Sequence, residues 1–201
     1  MKLFLYFVIV FSAVFHEYAH GFIAESLGDP TAKYAGRLTL NPIVHMELFG
    51  TVLLPLFLLF AGGFFIGWAR PVPYNPYNLS DPKYGSLKVA LAGPATNLLI
   101  AIILGLFLRL SPFFSSFLGV NLLGFLGIIV YINIALAFFN LIPLPPLDGA
   151  KVLADLFPRA SQLFMQLGGG GLIIALFFAF FFLPVITNFV YFIIVGTSLG
   201  I

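Results

Sequence analysis

The sequence predicts an all-α integral membrane protein, a multi-helix transmembrane bundle, and three observations carry that prediction. Of 201 residues, 61% are hydrophobic and only 8% charged, where soluble domains carry about 25% charged residues. Apolar runs recur at 2–27, 48–69, 87–110, 117–142, 163–183 and 185–201, near the ~20 residues that a spanning helix needs. Between them lie only short polar stretches, and 26 Phe leave no tract that reads as disordered.

Taken in order, the first run follows Met1-Lys2 and leads directly into His16-Glu17-Tyr18-Ala19-His20. No small-residue cleavage site precedes that motif, so the run reads as a retained helix and not a signal peptide. The stretch 28–46 is polar and punctuated by Pro and Gly, with a β-like piece at 34–40. The run 48–69 contains Gly62-Gly63 and Gly67, natural places for a chain that dips into the bilayer and returns. Pro71, Pro73, Pro76 and Pro82 come next, with a second β-like piece at 67–74. About five spanning helices plus one re-entrant element are expected. No repeat or soluble insert interrupts them, so 1–201 reads as one membrane domain, with a core at 1–157 and a C-terminal helical pair at 160–201.

Composition also excludes chemistry. A net charge of +2 without a basic cluster gives no footprint for nucleic acid. Cysteine is absent, which removes disulfides, thiolate metal sites, iron–sulfur clusters and a cysteine nucleophile. Any metal must be held by His, Asp, Glu or water.

Ionisable groups inside lipid are costly and mark function by default. His16 and His20 are four apart, one helical turn, so two imidazoles on one face can share a metal ion. Glu17 sits beside that face, placed to take a proton from a water activated there. A catalytic zinc commonly takes three protein ligands and keeps one position open. Glu25 points away on the same helix, and Ser26 stands where a third His could follow. His45 and Glu47 lie at the start of the second run. Asp148 comes after a helix break made by Pro143, Pro145 and Pro146, at a depth where irregular backbone must line protein or a cavity. It reads foremost as the third ligand, a role that does not exclude its capping the helix 149–157.

His16-Glu17-x-x-His20, the later Gly93-Pro94-x-x-Asn97, and Asn140 with the later Leu147-Asp148-Gly149 together resemble the site-two protease family of intramembrane zinc metalloproteases. The likeness is to its short, compact branch without a PDZ domain. The resemblance implies one Zn2+ per chain on His16, His20 and Asp148, with Glu17 as general base and acid. It also implies that Asn140, and Asn97 after it, bind substrate or steady the oxyanion. The substrate implied is a transmembrane segment of a membrane protein within the lipid bilayer, cut in regulated intramembrane proteolysis. The family pattern carries Asp where this chain has Glu47.

Depth and charge make this testable. His16 lies ~16 Å from the Leu27 end of its helix at 1.5 Å per residue, inside the bilayer. Only a re-entrant 48–69 brings all three motifs to one side. Lys33, Arg37, Arg70, Lys83, Lys88, Lys151 and Arg159 then share the active-site face, against Lys2 and Arg109 opposite. By the positive-inside rule the site opens to the cytosol of a multi-pass cell-membrane protein. The stretch 67–74 emerges beside it, where Trp68 and Pro71 would contact an unwound substrate added as a strand. His45 is structural or lines the entrance. Two readings compete: a catalytically silent scaffold or regulator, against which the intact motifs argue, and a metal transporter, whose flux should not need Glu17 as a proton shuttle.

Overall fold

The computed structural model describes residues 1–61, 67–110 and 120–198. Among them there is no β-strand, and four helices are long and apolar enough to cross a membrane. Helix α1 spans Lys2–Ser26, α2 Thr31–Tyr34 and α3 Pro42–His45; a π-helical turn at Leu48–Leu53 leads into α4, Leu54–Ala61. A 3-10 turn at Pro76–Asn78 precedes α5 (Gly85–Leu110), and beyond it lie α6 (Val120–Asn140), α7 (Asp148–Leu156), α8 (Pro158–Met165) and α9 (Gly170–Val195). The chain forms two compact units, Met1–Gly93 and Pro94–Ile201.

In the first unit, short polar segments turn by one repeated device. At Asp29-Pro30, Asn41-Pro42, Asn75-Pro76 and Asp81-Pro82 the side-chain oxygen accepts from the N–H two residues on, of Thr31, Ile43, Tyr77 and Lys83, at 3.1–3.2 Å. Each proline supplies a preset φ and needs no N–H partner at the first turn of the segment it opens. Glu47 caps the π-turn from three residues away, its Oε2 accepting from Gly50 N at 2.8 Å while Thr51 Oγ accepts from Glu47 N. The longer acid thus does a capping job.

The two ends of the second apolar run lie side by side. Trp68 N donates to Gly50 O, Thr51 Oγ to Trp68 O and Arg70 N to His45 O, at 2.7–3.1 Å. The chain leaving the run is therefore bonded to the chain that started it, and cannot have crossed from one face to the other. The expected return at Gly62-Gly63 lies outside the described residues. Gly67 is at the crossing itself: a Cβ there would sit 2.7 Å from Gly50 O and from Pro55 Cγ.

Two sequence expectations need correction. The β-like pieces do not form strands. Residues 34–40 hold the end of α2 and a left-handed turn at Gly36, φ 66°, while 67–74 has no regular structure and contains Pro71 and Pro73, which cannot donate to a ladder. The five expected spans are four, because 163–183 and 185–201 are not separate helices. α9 runs unbroken through Pro184, since proline is tolerated in lipid-embedded helices where the freed backbone is satisfied locally.

In the second unit α6 and α9 pack with the later part of α5. Ala101, Leu108, Val130, Ile134, Tyr191 and Val195 form their buried core.

Candidate metal centre

In the first unit α1 carries His16 and His20 on one face, both buried, with ring centroids 4.7 Å apart and planes nearly perpendicular. The start of α5 orients both rings. His20 Nδ1–H donates to Val89 O at 2.7 Å, which fixes the tautomer and puts the lone pair on Nε2, as for a ligating imidazole with a backbone partner. Pro94 gives Ala90 O no donor and crowds that turn, beside the carbonyl that His20 uses. One turn along from Val89, Gly93 has its missing Cβ position filled by the His16 ring, with Cδ2 and Cε1 2.6 Å from it. The glycine of the Gly93-Pro94 motif is therefore the seat of His16.

Glu17 is half-buried, and its Oε2 accepts from Val72 N at 2.8 Å. Buried Arg37 donates weakly to Arg70 O at 3.4 Å. Burial and then the Arg70 charge pull the Arg37 guanidinium down, with Glu17 acting in the opposite sense. The segment carrying Val72 runs along the last turns of α1. Val72 sits at Gly21, Tyr74 packs against the cluster of Ala24, Leu79 and Val89, Ser80 N donates to Leu27 O, and Asn75 N and Asn78 Nδ2 reach Asp29. Asp29 is fully buried. Burial alone would raise its carboxyl, but hydrogen bonds from Thr31, Asn75 and Asn78 outweigh that and hold it below the usual carboxylate range.

In the second unit Asp148 is the first residue of α7, buried, with Lys151 Nζ 3.1 Å from its Oδ1. A carboxylate at that position is favoured by the helix dipole. A Cβ on Gly149 would overlap the carbonyls of Leu141 and Ile142, so the glycine lets the proline-broken chain pass against the helix start.

The first unit thus offers two buried imidazoles and the second a buried carboxylate, a donor set of a kind that could hold a metal ion. Two imidazoles and a carboxylate suit zinc.

The other expected residues fall elsewhere. Asn97 is buried, and its Nδ2 donates to Asn133 Oδ1 at 2.8 Å. Asn133, which sequence reading passed over, donates in turn to Ile129 O at 2.9 Å. Asn140 Nδ2 donates to Leu136 O within its own helix. His45 is buried and is not in the donor set; its Nε2–H donates to Thr39 O at 2.7 Å. Trp68 lays its indole over Gly50, where any Cβ would collide with it. Pro71 is exposed on the segment beside it. Missed altogether were Asp29 and the seats at Gly21 and Gly93. Asp29-Pro30-Thr31 is a capping signal that could have flagged the first; the glycines give no local signal, because their partners are distant in sequence.

Residues 114–184 match Peptidase family M50. YwhC of Bacillus subtilis (strain 168), which carries a zinc metalloprotease name, is 41% identical over 161 residues, 77% of this chain and 69% of its own length. Rip2 of Mycolicibacterium smegmatis and MJ0611 of Methanocaldococcus jannaschii carry similar names. They are 33% and 32% identical over 71% and 70% of this chain, covering 52% and 63% of their own lengths. No solved structure matches the chain. The chain belongs to peptidase family M50, the site-two protease family. It is a multi-pass membrane metallopeptidase whose metal is zinc.

Proposed function

We propose that the protein is an intramembrane endopeptidase that hydrolyses peptide bonds in or beside transmembrane segments of other membrane proteins, as in regulated intramembrane proteolysis. The observation that carries this is a buried His16–His20 pair in a membrane-spanning helix with Glu17 next to it, His20 and Glu17 each held by a backbone group. In this reading His16, His20 and Asp148 hold one zinc per chain. Bound there, zinc would polarise the scissile carbonyl and make water acidic enough to deprotonate near neutral pH. Glu17 takes that proton and hands it to the leaving amine. Asn140 is the side-chain amide assigned to the oxyanion, in exchange for its bond to Leu136 O. Asn97, paired with Asn133, acts in packing. Trp68, Pro71 and His45 border the way in. The excess of Lys and Arg in the loops on the active-site side orients the site to the cytosol of a cell-membrane protein. Residues 1–201 work as one domain.

Reconstitution in liposomes with a model transmembrane substrate tests the substrate class. Cleavage within the membrane segment, faster when a Gly-Pro pair is placed near the cut, is the expected result, because a helix hides its carbonyls until it unwinds. Cleavage of water-soluble peptides with the membrane segment left intact would overturn it.

A further inference from the structure

The segment 68–73 has an unusual distribution of hydrogen-bond donors. Alternate N–H groups, of Trp68, Arg70 and Val72, point inward to Gly50 O, His45 O and Glu17 Oε2. Of the alternating residues Ala69, Pro71 and Pro73, the two prolines have no N–H. The segment therefore has little left to offer an added substrate strand by donation. The N–H groups of Trp68, Arg70 and Val72 are spent on the protein, and the last goes to the carboxylate that adjoins His16 on α1. Both ends of the segment are tied down, at Gly50 and Thr51 on one side and at buried Asp29 on the other. Val72 itself is wedged: a Cβ on Gly21 would lie 3.0 Å from Val72 Cγ1, so the side chain fills the notch that this glycine leaves on α1, one turn beyond Glu17. A proline on each side narrows the backbone freedom of Val72 further.

We propose that the backbone N–H of Val72 is the positioning group for Glu17. The stapled segment holds it in place and the Gly21 notch seats it, so that the carboxylate is fixed in one rotamer beside the histidines. This rests on Glu17 being the proton-transfer group. Val72 touches no reacting atom; it acts through Glu17 alone. Holding one carboxylate oxygen by a rigid donor leaves the other oriented for proton transfer, and misplacing such a group by about 1 Å costs about a hundredfold in rate.

The test is the full chain in liposomes with Val72 replaced by its α-hydroxy analogue, so that an ester oxygen stands where the N–H was and the isopropyl group stays. The turnover number kcat should fall about ten- to a hundredfold, while KM and zinc per chain stay within about twofold of wild type. Gly21→Ala, which keeps the amide but displaces the isopropyl group, should lower kcat in the same direction with zinc retained. An ester enzyme with wild-type kcat overturns the proposal, and so does a parallel loss of zinc and kcat, which would make the segment structural only. Glu17→Gln separates the two layers. If it still cleaves, the role of Glu17 falls; if it is inactive while the ester enzyme is normal, only the role of Val72 falls.

Discussion

Helices α1 and α9 are nearly equal in length, 25 and 26 residues, yet they bury different things. α1 buries Ser12, His16 and His20 among its apolar residues, and its neighbours supply Val89 O, the Gly93 seat and the Val72 amide. α9 buries Gly171, Ala175, Thr187, Tyr191 and Val195, two runs at four-residue spacing, and leaves Phe177, Phe180, Phe181 and Phe182 exposed. Over its most apolar stretch α1 is 39% buried and α9 11%. Lipid is a good solvent for phenylalanine and a poor one for imidazole, so the bilayer sorts the two helices. Polar groups gather where each can be bonded, and the apolar helix keeps a thin seam and gives the rest to lipid.

That contrast can be broken at several strengths. His20→Ala removes a proposed ligand and should abolish both zinc retention and cleavage, a loss of at least about a hundredfold in metal affinity, read by metal analysis of the purified protein. Gly93→Ala drives a methyl group into the His16 ring and should weaken zinc retention about tenfold or more, seen as faster loss to a chelator; unchanged retention would mean that Gly93 does not seat the ligand. Asp29→Asn puts an amide where Asn75 N–H and Thr31 need an acceptor and should cost about 1–3 kcal/mol, measured as a lower unfolding midpoint in detergent. Since the folded Asp29 carboxyl is depressed, its contribution is present above the unfolded value near ~3.9 and lost as pH falls through the lower folded value. The wild type should therefore lose stability below about pH 4 more steeply than Asp29→Asn. Thr187→Val on α9 is the smallest effect. Its Oγ1 is buried with no hydrogen-bond partner among the described residues, so the isosteric change should leave cleavage unchanged and raise stability by about 1 kcal/mol or less.

The features of local periodicity and of composition were legible in the sequence. The apolar runs, the His16–His20 spacing, the break before Asp148 and the return of the second run all come from residue type and distance along one chain. The division between 163–183 and 185–201 misled, because Pro184, a breaker in water, is only a local adjustment in lipid, and two expected helices are one. The β-like patterns at 34–40 and 67–74 misled for a different reason: a helix end and a left-handed Gly36 turn occupy the first, and prolines that cannot donate to a ladder interrupt the second. The orientation of the site was not legible. Gly93 under His16, Val89 O on His20 and Val72 N on Glu17 join residues 55 to 77 positions apart, and nothing local in a glycine or a valine announces such a contact. Glu47 lies between these cases. Its departure from the family pattern was visible, and its capping of the π-turn explains it only once the turn is seen.

The most direct test of the central claim is zinc content and cleavage of a model transmembrane substrate measured side by side for wild type and Glu17→Gln in liposomes. One zinc per chain in both, with cleavage by the wild type alone, is the predicted result. Cleavage that survives in Glu17→Gln, or a wild type that cleaves without zinc, would contradict it.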